Sequence, residues 1–144
     1  MTTLREAVID LLQADVTLMA ILTGGVWERR EINRTLTPSI YTATGAMKPC
    51  AVVLVEATSP VGPAQFDFEQ VFFLVWLYEE SGNHYSAIDL ARDRVRALLH
   101  RQSVAITAGC VHEIRHADGG ADFYDDVLSC EAAYERFYAW RHRA

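Results

Sequence analysis

The chain has 144 residues, a formal net charge of −6 and 51% apolar residues. This length fits one domain, residues 1–144, which can bury roughly 68–70% of its unfolded surface without a disulfide or a metal. The composition excludes a disordered or collagen-like chain, and no apolar run approaches the roughly 18 residues that a membrane-spanning helix requires. Nineteen acidic residues against thirteen basic ones also argue against a dedicated nucleic-acid binder.

The first predicted element is an amphipathic helix over residues 4–12, whose apolar side chains recur at helical spacing. Thr2 or Thr3 is its predicted N-cap, and Glu6 completes a capping box with Thr3. Glu6 and Asp10 stand where a signal peptide would carry its apolar stretch, so we expect a cytosolic product.

A second short helix is predicted after Asp15, a good N-cap, and Gly24-Gly25 end this helix. An extended piece begins at Val26, and residues 29–49 follow as a long loop with little periodicity. Loops longer than about 12–15 residues inside a compact domain are usually functional or flexible. We therefore predict that this loop is an arm that contacts a partner. Its arginines are Arg29, Arg30 and Arg34.

Two long strands and the clearest helix come next. Residues 50–58 read as a strand by their β-branched content, and 59–63 read as a turn because two prolines and a glycine bar regular structure. Residues 66–79 form a second long strand. Residues 84–100 carry one apolar stripe, which predicts a helix with Ser81-Gly82-Asn83 as its cap.

The C-terminal part is predicted to be extended. Residues 104–106 and 110–116 suit a hairpin, and the aromatic-rich stretch 128–140 favours a strand whose alternation is broken at Arg136. The element order ααβββαβββ predicts an α+β fold. We expect a mostly antiparallel sheet with the N-terminal helices and the longer helix packed on one face.

Both faces of the predicted sheet are apolar from Val71 onwards. Phe72, Leu74 and Trp76 line one face, whereas Phe73 and its alternating neighbours line the other. A sheet with one wet face should alternate apolar with polar residues, and three helices hardly cover both faces. Two interpretations remain open: the sheet curls or a long loop covers the second face, or another subunit covers it.

One possible metal motif is present. The segment His112-Glu113-Ile114-Arg115-His116 fits the HExxH pattern, in which two histidines one helical turn apart bind zinc. The segment is predicted to be a strand, however, on which such side chains lie about 13 Å apart along the chain and cannot share an ion. A small metal-dependent hydrolase that uses His112, Glu113 and His116 is the enzymatic alternative.

Other catalytic signatures do not occur in the sequence, which has no phosphate-binding glycine loop and no nucleophile elbow. We expect no enzymatic activity, cofactor or metal. The acidic segment 118–131 reads as a solvated loop. Cys50, Cys110 and Cys130 lie in apolar contexts and are predicted to be reduced core residues.

Four segments together point to a family. An opening helical segment is followed by Gly-Gly, a strand follows a loop, a strand–turn–helix unit comes next, and an acidic stretch leads into the closing strand. These segments are LREAVIDLLQADVTLMAIL, PCAVVLVEA, FDFEQVFFLVWLYEESGNHYSAIDLARDRVRALLH and FYDDVLSCEAAYERFYAWRHR. Over nearly its whole length the chain resembles the tail terminator (tail-completion) proteins of long-tailed bacteriophages and prophage-derived particles.

The resemblance implies a structural virion protein that assembles with copies of itself, typically as a hexameric ring, at the head-proximal end of the tail tube. Such a ring stops tube growth and joins the tube to the neck, so the tail tube protein and a head-closure protein are its expected partners. Genome DNA passes through the lumen without sequence-specific binding, which the acidic balance suits. A head-closure or neck adaptor is the structural alternative.

Ring contacts are expected from the arm, the apolar strand faces and the C-terminal strand. The candidate interface residues are Arg29, Arg30, Arg34, Phe73, Trp76, Tyr138, Trp140 and Arg141.

Overall fold

The structure is a computed structural model that describes residues 2–28, 32, 35, 37–61, 68–107 and 109–143. Three helices and seven strands are described. The helices are α1 (Leu4–Gln13), α2 (Val16–Ile21) and α3 (Ser86–Leu99). The strands are β1 (Val26–Glu28), β2 (Cys50–Val61), β3 (Phe68–Glu80), β4 (Val104–Ile106), β5 (Gly109–Gly119), β6 (Phe123–Asp125) and β7 (Cys130–Arg143). A 3-10 turn covers Pro38–Ile40.

The strands form one sheet in the order β1-β2-β3-β7-β5-β4, and β6 pairs with β7. The pairing of β1 with β2 is parallel, and all other pairings are antiparallel. The predicted α+β fold with a mostly antiparallel sheet is therefore confirmed. None of the helices in the described part of the chain is long and apolar enough to span a membrane.

Local capping signals place the first two helices where the sequence predicts them. The Thr3 hydroxyl accepts a hydrogen bond from the Glu6 N–H at 3.2 Å, and the Glu6 carboxylate accepts from the Thr3 N–H at 2.7 Å. The Asp15 carboxylate accepts from the Leu18 N–H at 2.8 Å. Each cap satisfies backbone donors that have no partner inside the helix.

The predicted cap of α3 at residues 81–83 is wrong. Its N-cap is Tyr85, which has a left-handed backbone (φ 60°) and makes no side-chain capping bond. Carboxylates from the sheet supply the acceptors instead. Glu131 of β7 accepts from the Tyr85 N–H at 2.9 Å, and Glu79 of β3 accepts from the Ala87 N–H at 3.2 Å. The start of α3 is thus fixed by tertiary contacts.

The predicted turn at 59–63 is wrong for residues 59–61, because β2 continues to Val61, which pairs with Phe68. Residues 62 and 63 lie outside the described residues. The strand is irregular between Val55 and Thr58, where its register shifts. Pro60 is tolerated in this extension because β1 pairs only with residues 51–53, which leaves this part of β2 at an edge.

The main core lies between the helices and one face of the sheet, which we call the inner face. Phe73 of β3 and Phe137 of β7 are fully buried there, with their rings stacked at a centroid distance of 5.4 Å. Helix side chains such as Leu12, Leu18 and Val95 are also fully buried in this cluster. Burial of the inner face by α1, α2 and α3 therefore anchors the fold.

The opposite face of the sheet, which we call the outer face, is partly covered by the chain itself. Ile40 and Met47 are buried against Val52 of β2 and Tyr78 of β3 in a second apolar cluster. The loop interpretation is therefore correct for one end of this face, and residues 37–48 do not extend away as an arm. Six residues of the predicted arm, 29–31, 33, 34 and 36, lie outside the described residues.

Candidate interaction face

The part of the outer face that residues 37–48 leave uncovered is built from β3 and β7. Alternation along these strands, together with their register, brings four cross-strand pairs to this face. They are Gln70 with Trp140, Phe72 with Tyr138, Leu74 with Arg136, and Trp76 with Tyr134. An aromatic surface with a single guanidinium at its centre results.

Aromatic side chains form two groups on this face, one on each side of Arg136. The Trp76 ring lies 4.9 Å from the Tyr134 ring and 5.7 Å from the Phe123 ring, measured between centroids. Tyr138 packs edge-on against Trp140 at 6.4 Å. These side chains are only partly buried, and Phe123 is 44% exposed. Exposed aromatic surface of this kind is typical of protein interaction sites.

Arg136 organises the centre of the face. Its Nε donates to the Glu56 carboxylate at 3.0 Å, and its guanidinium lies 3.7 Å from the Asp118 carboxylate and 4.5 Å above the Phe72 ring. The hydrogen bond to Glu56 raises the pKa of Arg136 above its ordinary value. Leu74, which lies opposite Arg136 on β3, is only 9% exposed. Arg136 thus covers part of the apolar surface of β3.

Beside Arg136 lies an open groove of about 380 Å³, which we call the outer-face groove. It is lined by Glu56, Leu74, Trp76, Asp118, Tyr134 and Arg136. The indole N–H of Trp76 is enclosed and has no hydrogen-bond partner among the described residues.

The structure brings together three of the predicted interface residues. Trp76, Tyr138 and Trp140 alternate onto the outer face of β3 and β7. Arg141 lies on the inner face by the same alternation and pairs with Glu69, with Nε to carboxylate at 3.0 Å. Arg29, Arg30 and Arg34 lie outside the described residues.

The expectation for Phe73 requires correction. Its side chain is fully buried against Phe137 under the helices, so it has no surface to offer another copy. Sequence reasoning missed Glu56, Asp118 and Arg136 as members of the face. The one signal was the break in apolar alternation at Arg136.

The HExxH segment lies on β5, and its two histidines lie on opposite faces of the sheet. His112 pairs with Trp140 of the outer face, whereas His116 pairs with Phe137 of the inner face. Register shifts between them reverse the alternation. Within the described residues, no three His, Cys, Asp or Glu side chains come together as metal ligands.

His116 belongs instead to a buried ion-pair cluster. Its Nε2 contacts the carboxylate of Glu135, which is 1% exposed. Arg92 of α3 donates its Nε to the same carboxylate at 2.7 Å and a terminal nitrogen to the Gly120 carbonyl at 2.8 Å. Gly120 has no side chain because a Cβ there would lie 2.3 Å from the Tyr134 ring. The cluster ties α3 to β5 and β7.

The cysteines are free thiols in the described residues. Cys50 and Cys130 are buried in the cluster under residues 37–48, which confirms their prediction as core residues, and burial raises the pKa of each to about 12. Cys110 is only partly buried. Its Sγ lies 3.7 Å from the Val104 carbonyl oxygen.

No protein-family model and no curated protein matches the chain. Solved structures do match it. A chain in the virion of a native gene transfer agent (GTA) particle superposes with a TM-score of 0.74 at 13% identity, covering 96% of this chain and 93% of that one. A second solved chain superposes with a TM-score of 0.56 at 13% identity, covering 99% and 98%. At this identity the matches show a shared fold.

Proposed function

We propose that the chain is a structural protein of a phage-like particle, and specifically a tail terminator. The observation that carries this proposal is the fold shared over 96% of the chain with a component of a GTA virion. The sequence resemblance to tail terminators points in the same direction from independent features. In this role the protein has no enzymatic activity and works in the particle, at the junction of tail and neck.

The outer face supports a function in assembly. A surface of partly exposed aromatic rings that lies opposite the helices gives each copy two different sides. Contacts between unlike sides of identical copies form a closed ring when their rotation closes. We propose a homo-oligomeric ring, hexameric as the resemblance implies, whose contacts include Trp76, Tyr138 and Trp140.

Charge supports the passage of DNA through such a ring. The chain carries a net charge of −6, and a lumen lined by negative charge repels the phosphate backbone. DNA would then slide through without sequence-specific binding. The tail tube protein on one side and a head-closure protein on the other are the proposed partners.

Deletion of the gene from the genome that produces the particle tests the proposal. A missing terminator leaves tube growth unchecked, so electron micrographs should show headless tails with tubes of abnormal length. Tails of normal length that fail to join heads would favour the neck-adaptor alternative. Normal, complete particles would overturn both functions. Complementation with the wild-type gene is the control.

A further inference from the structure

We propose that the outer-face groove receives an arginine side chain from residues 29–34 of a second copy of the chain. This inference rests on the proposed ring and names the contact that would hold neighbouring copies together. It is argued from the charge and the aromatic walls of the groove.

The groove carries an excess of negative charge. Glu56 and Asp118 contribute two carboxylates, and Arg136 is the only cation among the six residues that line it. The closer pair is Arg136 with Glu56 at 3.0 Å, whereas Asp118 lies 3.7 Å from Arg136 and has a side chain that is 52% exposed. Asp118 therefore keeps open coordination sites for a second guanidinium.

Aromatic rings complete a site for a planar cation. Guanidinium groups pack favourably on the faces of Trp and Tyr rings, and Trp76 and Tyr134 both line the groove. Arg136 already shows this mode of packing next to the groove, 4.5 Å above the Phe72 ring.

The chain itself carries arginines whose positive charge complements the groove. Arg29, Arg30 and Arg34 lie within six residues of sequence, directly after β1. β1 is an edge strand of the sheet, whereas the groove lies on the sheet face of β3 and β7. An edge of one copy that meets a face of the next is a contact between unlike surfaces, as a closed ring requires.

A charge exchange between two full-length chains tests the contact. One chain carries Asp118→Arg, and the other carries Arg29→Glu, Arg30→Glu and Arg34→Glu. We expect each to lose self-assembly alone and their mixture to form oligomers that contain both masses in native mass spectrometry. Rescue in the mixture requires contact between different copies, so it separates this proposal from an arginine bound within one chain.

Asp126→Arg is the matched control, because Asp126 is exposed in the turn before β7 and does not line the groove. This variant should assemble as the wild type does and should not rescue the triple variant. Where the wild-type chain assembles on its own, wild-type assembly of the Asp118→Arg chain, or a mixture that contains no mixed oligomer, would overturn the inference. Circular dichroism verifies that each variant folds.

A peptide titration covers the case in which rings form only on a tail. The probe is a synthetic peptide of residues 28–37, ERREINRTLT, titrated into the full-length chain by calorimetry. We expect the Asp118→Arg chain, and a peptide with its arginines replaced by glutamine, to bind about tenfold more weakly or worse. Equal affinities, or no binding of the peptide to the wild-type chain, would reject the groove contact. The gene-deletion phenotype tests the proposed function independently of this result.

Discussion

The two faces of the sheet are made by the same strands but are protected in different ways. On the inner face, Phe73 and Phe137 stack beneath three helices and are fully buried. On the outer face, Phe72 and Tyr138 occupy the adjacent positions of the same strands, and an arginine rather than a helix lies over Phe72. Two apolar faces in a sequence therefore do not require two equivalent cores.

The largest loss of stability is expected from a substitution in the inner face, and it tests the difference between the two faces directly. Phe73→Ala should lower the free energy of unfolding by about 3–5 kcal/mol, because it removes a buried ring and leaves a cavity. Phe72→Ala, the matched change on the outer face, should cost less than about 1.5 kcal/mol. Urea denaturation of the two variants makes the comparison. Equal losses would mean that the outer face is as much a core as the inner one.

An ion pair on the inner face should also contribute more to stability than one on the outer face. Glu135→Gln leaves the Arg92 guanidinium without its buried carboxylate partner, and we expect a loss of about 3 kcal/mol. Glu56→Gln weakens the half-exposed pair with Arg136 and should cost about 0–1 kcal/mol. Chemical denaturation at neutral pH measures both. A larger effect at Glu56 would contradict this ranking.

The carboxyl of Glu79 should make stability depend on pH. Burial, the largest cause, raises its pKa above 4.5, and the nearby Glu131 carboxylate acts in the same direction. The ionised form is therefore disfavoured in the folded state, so its contribution is fully favourable below the unfolded pKa and is lost as the pH rises through the folded pKa. Glu79→Gln should flatten this fall when urea midpoints are compared from about pH 4.5 to 8. The exposed Glu80→Gln variant is the control, and it should keep the wild-type slope.

The smallest effect is expected at Asp15, on the surface of the helix layer. Hydrogen bonds from Arg94 hold its pKa at about 2, so its contribution is present above the unfolded value of 3.8 and disappears as the pH falls through about 2. Asp15→Asn preserves the N-cap acceptor but removes the negative charge that pairs with Arg94. Thermal melting should show a small loss at pH 7 that vanishes near pH 2. A loss of the same size at both pH values would assign it to the cap instead.

Elements whose signals are local could be predicted from the sequence. Thr3, Glu6 and Asp15 act within three residues of their partners, and all three capping bonds are present as expected. The cap of α3 could not be predicted, because Glu131 reaches the Tyr85 N–H across 46 residues of sequence. The short strand β6 was missed for a similar reason, since its three residues depend on pairing with β7.

In the candidate interaction face, too, only the features that depend on local sequence could be predicted. Alternation placed Phe72, Leu74 and Trp76 on one face of their strand correctly, since a strand repeats every two residues. The register of β3 with β7, which puts Tyr138 and Trp140 on the same face, could not be predicted. Alternation cannot say which face the helices cover, and this is why Phe73 was wrongly assigned to an interface. Glu56 lies 80 residues from Arg136, and no spacing rule connects them. Their ion pair becomes visible only in the folded chain.

The single arginine above Phe72 has a consequence for the proposed assembly. Arg136 places its charged guanidinium over the Phe72 ring, so water meets a hydrated cation there and not the apolar ring. Its partly exposed ion pairs are worth only about 0–1 kcal/mol each, so in the proposed assembly a neighbouring copy would reorganise them at little cost. The same side chain would then favour solubility of a single copy and allow contact with the next one.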